Sequence, residues 1–406
     1  MANTFKFGNG NWATKEDSVL AYNDENNNFK PLPFDFTRAS TATYVDSDGL
    51  IKTAKQGEAR IDYTDNTDGH LLLEPSRSNL LLRSEDFTTS WSRVNSSITA
   101  NQITAPDGTQ TADLFQENTA TGSHDIRQNK SGLTTGVSYT YSIFVKEYLA
   151  GNTRRIAFYI GGVNSSGTFD FSTETLTSST FDRAEVVKYE NGWYRLIISD
   201  ITTGTTFNNI IILDNGSVAS YTGDGTSGFY IWGAQLEQGS YPTSYIPTEG
   251  SAVTRLADVC NGAGNSDIFN DSEGVLYAEM SSLSLSGYRA LSLSDGTSSN
   301  RVQIWLWNDG TIFTYVVAQG STSYSRFDSV DATNMNKISI SYKQNQFNTF
   351  INGIKTHSDT LGNTPTGLNN LKFSDIDGSA LLLGKIKEIK VYNTALSDSE
   401  LETLTT

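Results

Sequence analysis

Few residues in this 406-residue chain are placed to do covalent chemistry. His70, His124 and His357 lie far apart, with no metal-ligand spacing and no companion cysteines, because Cys260 is the one thiol. A zinc site draws on clustered His and Cys ligands at close spacing, and none is seen. The lone cysteine also rules out an intrachain disulfide and reads as a small, half-buried apolar residue. There is no Walker-type glycine loop and no Gly-x-Ser-x-Gly elbow. A glycosidase would need two carboxylates about 5–10 Å apart across the bond it cleaves. Glu273 and Glu279, on either side of VLYA, and the loop Asp375-Ile376-Asp377 make no such pair. The expectation is a protein that binds and does not catalyse.

Binding chemistry is easier to place. In the stretch Val302 to Trp307, Val302, Ile304 and Leu306 alternate with Gln303, Trp305 and Trp307. Side chains of a strand point alternately to opposite faces, so one face is wholly aliphatic and the other carries two indoles and an amide. The apolar C–H faces of sugars stack on such rings, and planar amides bond their hydroxyls. Trp305 and Trp307 would form a platform about 7 Å long, the rise of two strand residues. Tyr315 on the partner strand joins them in one hairpin register and faces away in the other. A neighbouring domain or subunit covering these tryptophans is the alternative. Trp193 is a further sugar candidate. In GWYRLIISDI, Tyr194, Leu196 and Ile198 make the core face, which leaves Trp193 and Arg195 outward or at a rim. Trp232, beside Phe229 and Tyr230, reads as core, and Trp12 as an anchor of the N-terminal segment.

The elements that must hold these residues are short strands. The chain has 19 Tyr, 20 Phe and 34 Gly, with Ser, Thr and Asn throughout and only 7 Pro. That composition suits strands joined by tight turns around sandwich cores. Strand-like runs recur at 139–149, 154–163, 168–173, 192–201, 208–215 and from Phe229 onward, the spacing of a sandwich or jelly roll. That last run, FYIWGAQLE, leaves through Pro242 and Pro247, which cannot donate to a ladder. A second series follows at 274–283, 289–295, 300–319, 336–356 and 380–404. Its hairpins turn at Asn308-Asp309-Gly310 and near Gln344-Asn345, with a further turn at Asn352-Gly353. Ser397 with Glu400 makes a capping box for a closing helix.

The expected fold class is all-β, two tandem antiparallel sandwiches after a β-rich attachment segment. Residues 1–85 are expected to pack on the next domain, 86–248 to form the first sandwich, 249–268 a linker and 269–406 the second. Within 1–85, Asp48-Gly49 is a hairpin signal, and Arg38, Arg60 and Arg77 are expected to pair with local acids such as Asp62 and Glu74.

The formal net charge is −16, spread without blocks. Nucleic acids and anionic membranes call for a basic footprint, so neither is an expected partner. No apolar run approaches the ~18 residues of a membrane span, and MANTFKFGNGNWATKED has no secretory apolar core.

Several phrases also carry resemblances. FTRASTATYVDSDGLI (36–51), ARIDY (59–63), GHLLLEPSRSNLLLRSEDF (69–87) with Trp91, and WGAQLE with GSYPTSYIPT resemble a carbohydrate-binding-module-like domain of bacteriophage tail and fibre proteins. They cover roughly the first 250 residues in the expected order. KISISYKQNQFNTFINGIKT and GKIKEIKVYNTALSDSEL resemble a hairpin and the last strand of laminin-G-like or concanavalin-A-like lectin domains. The first resemblance implies a head or tail fibre protein made in the host cytoplasm and carried on the virion surface. It would bind host surface polysaccharide, dock on other virion proteins through its N-terminal segment and form a homo-oligomer, commonly a trimer. The rival expectations are a purely structural decoration or spacer and a polysaccharide depolymerase. No cofactor is expected. Both sandwich families often hold structural calcium, and Asp214-Asn215-Gly216 and Asp224-Gly225 are loops that could supply oxygen ligands, though no ligand is assigned.

Overall fold

Alternating apolar residues drive half of the chain into strand, against 3% helix, so the fold is all-β. The computed structural model describes residues 2–6, 13–15, 18–21, 32–64, 66–149, 151, 154–161, 165–178, 181–214 and 220–406. Trp12 and the Asn215-Gly216 turn lie outside them. The chain divides into two compact units. A middle unit comprises residues 42–53 and 76–255; a terminal unit comprises 1–41, 54–75 and 256–406.

Among the described residues, the middle unit is a sandwich of two six-stranded sheets. One sheet runs Ser96–Ile103, Ala112–Glu117, Gly228–Gln238, Ser138–Glu147, Tyr194–Ile201, Arg183–Lys188. Its inner face presents Ile143, Val145, Leu196, Ile198, Phe229 and Ile231 to Ile126, Ile156, Phe158, Phe169, Ile211 and Leu213 of the other sheet. Each such side chain contributes about 1.5–3 kcal/mol by leaving water. The back of this sheet is also apolar. Phe144, Trp193, Trp232 and Tyr245 pack there with Val45 and Ile51 of a hairpin made by Ala42–Val45 and Ile51–Ala54. The stretch after Gln238 leaves the ladder as its prolines require, then folds back across that face. Tyr245 lies 4.6 Å from the Trp232 ring, and its carbonyl accepts from Thr43 Oγ1 at 2.5 Å.

Two sheets enclose the core of the terminal unit. One contains, in order, Ile354–Asp359, Gln346–Ile351, Asn336–Lys343, Glu273–Ser282, Gly384–Tyr392, His70–Leu73 and Ile61–Asp62. The other runs Ser321–Asp328, Ile312–Ala318, Arg301–Leu306, Arg289–Ser294, Asn370–Lys372. Leu276, Ile338, Ile340 and Ile389 of the first meet Leu291, Leu293, Val302, Ile304 and Leu306 of the second. The helix Asp398–Thr405 starts with the expected capping box of Ser397 and Glu400, and it buries Leu401. Among the described residues no helix is long and apolar enough to cross a membrane.

The domain limits drawn from the sequence need correction. Residues 1–85 are not one segment on the next domain. Residues 42–53 of the hairpin belong to the middle unit, whereas Ile61–Asp62 and His70–Leu73 extend the sheet of the terminal unit beside Gly384–Tyr392. Residues 249–268 are not a bare linker either, because Val253–Arg255 pairs with Arg77–Asn79 and Val259–Asn261 pairs with Leu32–Thr37. Strands of three residues are too short to show a period, which is why they read as linker.

The arginines of the early segment also reach further than expected. Arg60 does pair with the local Glu74, at 2.7 Å, but it also pairs with Asp258, and so does Arg38, at 3.0 Å. Arg77 stacks 5.2 Å over the Tyr241 ring. Asp62 lies 3.7 Å from His70.

Candidate functional site

The strand Arg301–Leu306 keeps the alternation of its sequence. Val302, Ile304 and Leu306 are buried in the core, and Trp305 with Trp307 remains half-buried on the opposite face. The turn at Asn308–Gly310 fixes the hairpin register. Trp307 N–H donates to Thr311 O at 2.8 Å, and Gly310 takes φ +88°, a conformation that favours glycine. In that register Trp305 faces Phe313 and Gln303 faces Tyr315. Tyr315 therefore joins the tryptophan face, which settles the alternative left open by the sequence. One strand further, Phe327 faces Phe313.

The result is a row of rings along one face of the sheet. Tyr288 meets Trp307 edge-on at 5.1 Å, and Trp307 meets Phe327 at 4.8 Å. Phe327 stacks on Phe313 at 4.2 Å, and Phe313 on Tyr315 at 5.2 Å. At the end of the row the Arg301 guanidinium lies 5.1 Å over the Tyr315 ring. Tyr288 is 45% exposed and Phe327 49%. Among the described residues, the indole N–H groups of Trp305 and Trp307 have no hydrogen-bond partner. A buried donor left unpaired costs about 1–3 kcal/mol, so this face is not arranged for stability alone. A shallow cleft of about 230 Å³ runs along the row, lined by Tyr288, Arg301, Gln303, Trp305, Trp307, Phe313 and Tyr315.

Two of the candidates do not sit as the sequence suggested. Gln303 points to the correct face but is 1% exposed; its Nε2 donates to Ser292 Oγ at 2.8 Å and its Oε1 accepts from Arg301 Nε at 2.8 Å. Its amide is engaged with Ser292 and Arg301 at the floor of the cleft. Trp193 is 1% exposed and donates its indole N–H to Thr104 O at 3.2 Å. Arg195 beside it is buried too, over the Phe144 ring and bonded to Ser142 Oγ and Thr243 O. Alternation gave the face of Trp193 correctly, but the 241–248 stretch and the 42–54 hairpin cover that face. Trp232 is buried, as its neighbours implied. The sequence reading missed Tyr288, Phe313 and Phe327. Phe313 and Tyr315 alternate like the tryptophans, so Phe313 could have been found from the same signal.

The acids weighed as a catalytic pair do not converge. Glu273 pairs with Lys343 at 3.2 Å, and Glu279 lies 3.8 Å from Lys387. Asp224 accepts four hydrogen bonds from Thr226 and Ser227, which hold its carboxyl well below the usual range despite partial burial. That is turn chemistry. Among the described residues no three His, Cys, Asp or Glu side chains gather as a metal site.

Residues 276–402 match the laminin-G-type model of the concanavalin A-like lectin/glucanases superfamily. The aromatic row lies within that lectin-like β-sandwich domain. No curated protein matches the chain. Among solved structures, the CBM40 of a Ruminococcus gnavus IT-sialidase, bound to α2,3-sialyllactose, is 19% identical; the match covers 36% of this chain and 94% of that one, with a TM-score of 0.30. Domains LG4-5 of the mouse laminin α1 chain are 8% identical over 69% of this chain and 90% of theirs, with a TM-score of 0.22. A Trypanosoma rangeli sialidase is 10% identical over 97% of this chain and 82% of that one, with a TM-score of 0.27. All three scores lie below 0.5.

Proposed function

We propose that the protein is a non-enzymatic fibre or receptor-binding component of a bacteriophage virion, and that it adsorbs to host surface polysaccharide through the aromatic row of its lectin-like domain. The observation that carries the binding reading is the row itself, in which half-exposed rings lie side by side along one sheet face. Exposed apolar patches of this kind mark interaction sites, and flat rings suit the C–H faces of sugars. The cleft is lined by no Asp or Glu, which supports binding over hydrolysis, since cleavage of a glycosidic bond draws on two carboxylates. The phage reading is supported by the separated phrases between residues 36 and 248, and with it go a virion-surface location, contacts with other virion proteins and assembly as a homotrimer.

The test is binding of the purified protein to host cells, with free host polysaccharide as competitor, beside the double variant Trp305→Ala/Trp307→Ala. Truncating two central aromatic contacts costs on the order of 2–4 kcal/mol, so affinity should fall at least about tenfold while the melting temperature shows a folded protein. Wild-type binding that polysaccharide does not compete, or that the variant retains in full, would overturn the assignment. If the variant instead loses self-association, the row is a subunit interface and the protein is a structural component.

A further inference from the structure

A second cleft, in the middle unit, has the chemistry of a sugar site. It opens on the back of the sheet that carries Trp232. Outward positions of Ser138–Glu147 and its continuation are Phe144, Lys146 and Tyr148; Phe144 faces Trp232 and Lys146 faces Tyr230 across the ladder. The folded-back stretch covers Phe144 and Trp232. Past them the row continues into the open with Tyr230 and Tyr148, whose rings meet at a right angle, 5.4 Å apart. Three other segments close the sides: Gly49 and Leu50 of the hairpin turn, Thr104 to Pro106, and the turn Tyr189 to Asn191. The enclosed volume is about 540 Å³, within the ~300–1,000 Å³ typical of small-molecule sites and more than twice that of the aromatic row.

The walls are held in place. Asp46 Oδ1 accepts from the N–H groups of Asp48 and Leu50, at 3.0 and 2.9 Å, and sets the hairpin turn. Gly49 takes φ +75° there, and a Cβ on it would lie 2.2 Å from Glu190 Cγ, so only glycine lets the two turns meet. Lys146 Nζ donates to Asn191 O at 2.5 Å. Among the described residues, the hydroxyls of Tyr148 and Tyr230 and the Glu190 carboxylate have no hydrogen-bond partner. Burial, with the Tyr148 phenol nearby, pushes the Tyr230 phenol up, so it stays a donor at neutral pH.

We infer that this cleft is a second carbohydrate site, taking one sugar unit against the Tyr148 and Tyr230 rings. The ligand class follows from the mixture of groups. Two rings supply apolar faces, and their phenols, the Lys146 ammonium and the Glu147 and Glu190 carboxylates supply donors and acceptors around them. One cation against two carboxylates leaves no excess positive charge, which disfavours phosphate or nucleotide. A polar rim disfavours lipid. A sugar unit, with an apolar face and a belt of hydroxyls, fits both. The two sites are independent, so either stands without the other.

An array of purified bacterial capsular and lipopolysaccharide polymers, probed with the full chain, tests this. The variants are Tyr148→Ala/Tyr230→Ala, Trp305→Ala/Trp307→Ala, their combination, and Tyr148→Phe/Tyr230→Phe. The expected result is that the tryptophan variant keeps weakened binding, the tyrosine variant loses about tenfold, and the combination binds nothing. The Phe variant keeps the rings and should lose several-fold through the hydroxyls alone. Tyrosine variants that bind as wild type does would overturn the second site. Loss of all binding in the tyrosine variant, with the tryptophan variant unaffected, would keep this cleft and remove the aromatic row. Should Tyr148→Ala/Tyr230→Ala fail to melt cooperatively, the Phe variant decides, and wild-type binding by it overturns the proposal. A wild-type protein that binds no polymer overturns both sites.

Discussion

Asp258→Ala is expected to destabilise the terminal unit by about 3–5 kcal/mol, the cost of leaving a buried charge without its partner. The Asp258, Arg38 and Arg60 side chains are fully buried, and that of Glu74 is 3% exposed. Asp258 Oδ1 accepts from Arg38 Nη1, and Oδ2 accepts from Arg60 Nη2 and, at 2.8 Å, from the Glu74 N–H. Among the described residues, two guanidiniums meet two carboxylates here. Without Asp258, one carboxylate faces two buried cations. Burial alone would lower the pKa of Arg60, but Asp258 and Glu74 outweigh it and push the value up, so the guanidinium cannot escape by losing its proton. Calorimetry checks this: the transition of the terminal unit should fall on the order of 10 °C, at about 2–4 °C per kcal/mol for a domain of this size. Asp258→Asn should not rescue, since its amide NH₂ would meet guanidinium donors. Replacing all four residues by apolar ones of similar volume should cost less than the single change, because a buried ion network is seldom the most stable filling of its space. An unchanged transition in Asp258→Ala would mean that water reaches the cluster.

How much of this was legible in the sequence depended on distance along the chain. The shared face of Trp305 and Trp307 was legible because strand alternation decides it within three residues, whereas the face of Tyr315 waited on the hairpin register. The capping box of Ser397 and Glu400 is as local and was legible too. Trp193 was misread because alternation gives a face and not what covers it, and the cover comes from the 42–54 hairpin and the 241–248 stretch. The Arg38–Asp258 pair spans 220 residues, and no local pattern marks it. Tyr148 and Tyr230 stand singly among many tyrosines; only the ladder that sets Lys146 opposite Tyr230 brings them together. Strands such as Ser96–Ile103 and Ser321–Asp328 were missed because they are largely exposed and polar, and so lack an apolar period.

Acid should weaken the terminal unit through His70, and His70→Gln should remove that part of the loss. His70 is 3% exposed and sits on the strand His70–Leu73 that extends the sheet beside Gly384–Tyr392. Its Nδ1 lies 2.8 Å from the Asn66 amide nitrogen and must accept from it, which leaves the ring proton on Nε2, 3.7 Å from Asp62. A proton on Nδ1 would break the Asn66 bond. Burial lowers the pKa to about 4, with Lys385 and Lys387 acting in the same direction and Asp62 and Glu74 against it. In the unfolded chain the imidazole titrates near 6.5. Between those values the unfolded state holds the extra proton, so stability rises with pH across the window and is lost as pH falls through it. The full effect is on the order of 3 kcal/mol below pH 4, and roughly 2 kcal/mol is lost between pH 7 and pH 4.5. Carboxylates elsewhere titrate near the bottom of this range, so the readout is the difference between wild type and His70→Gln in urea midpoint at the two pH values. The variant should lose about 2 kcal/mol less on acidification. Equal losses would mean that His70 is protonated in the folded protein, and that Asp62 rather than burial governs it.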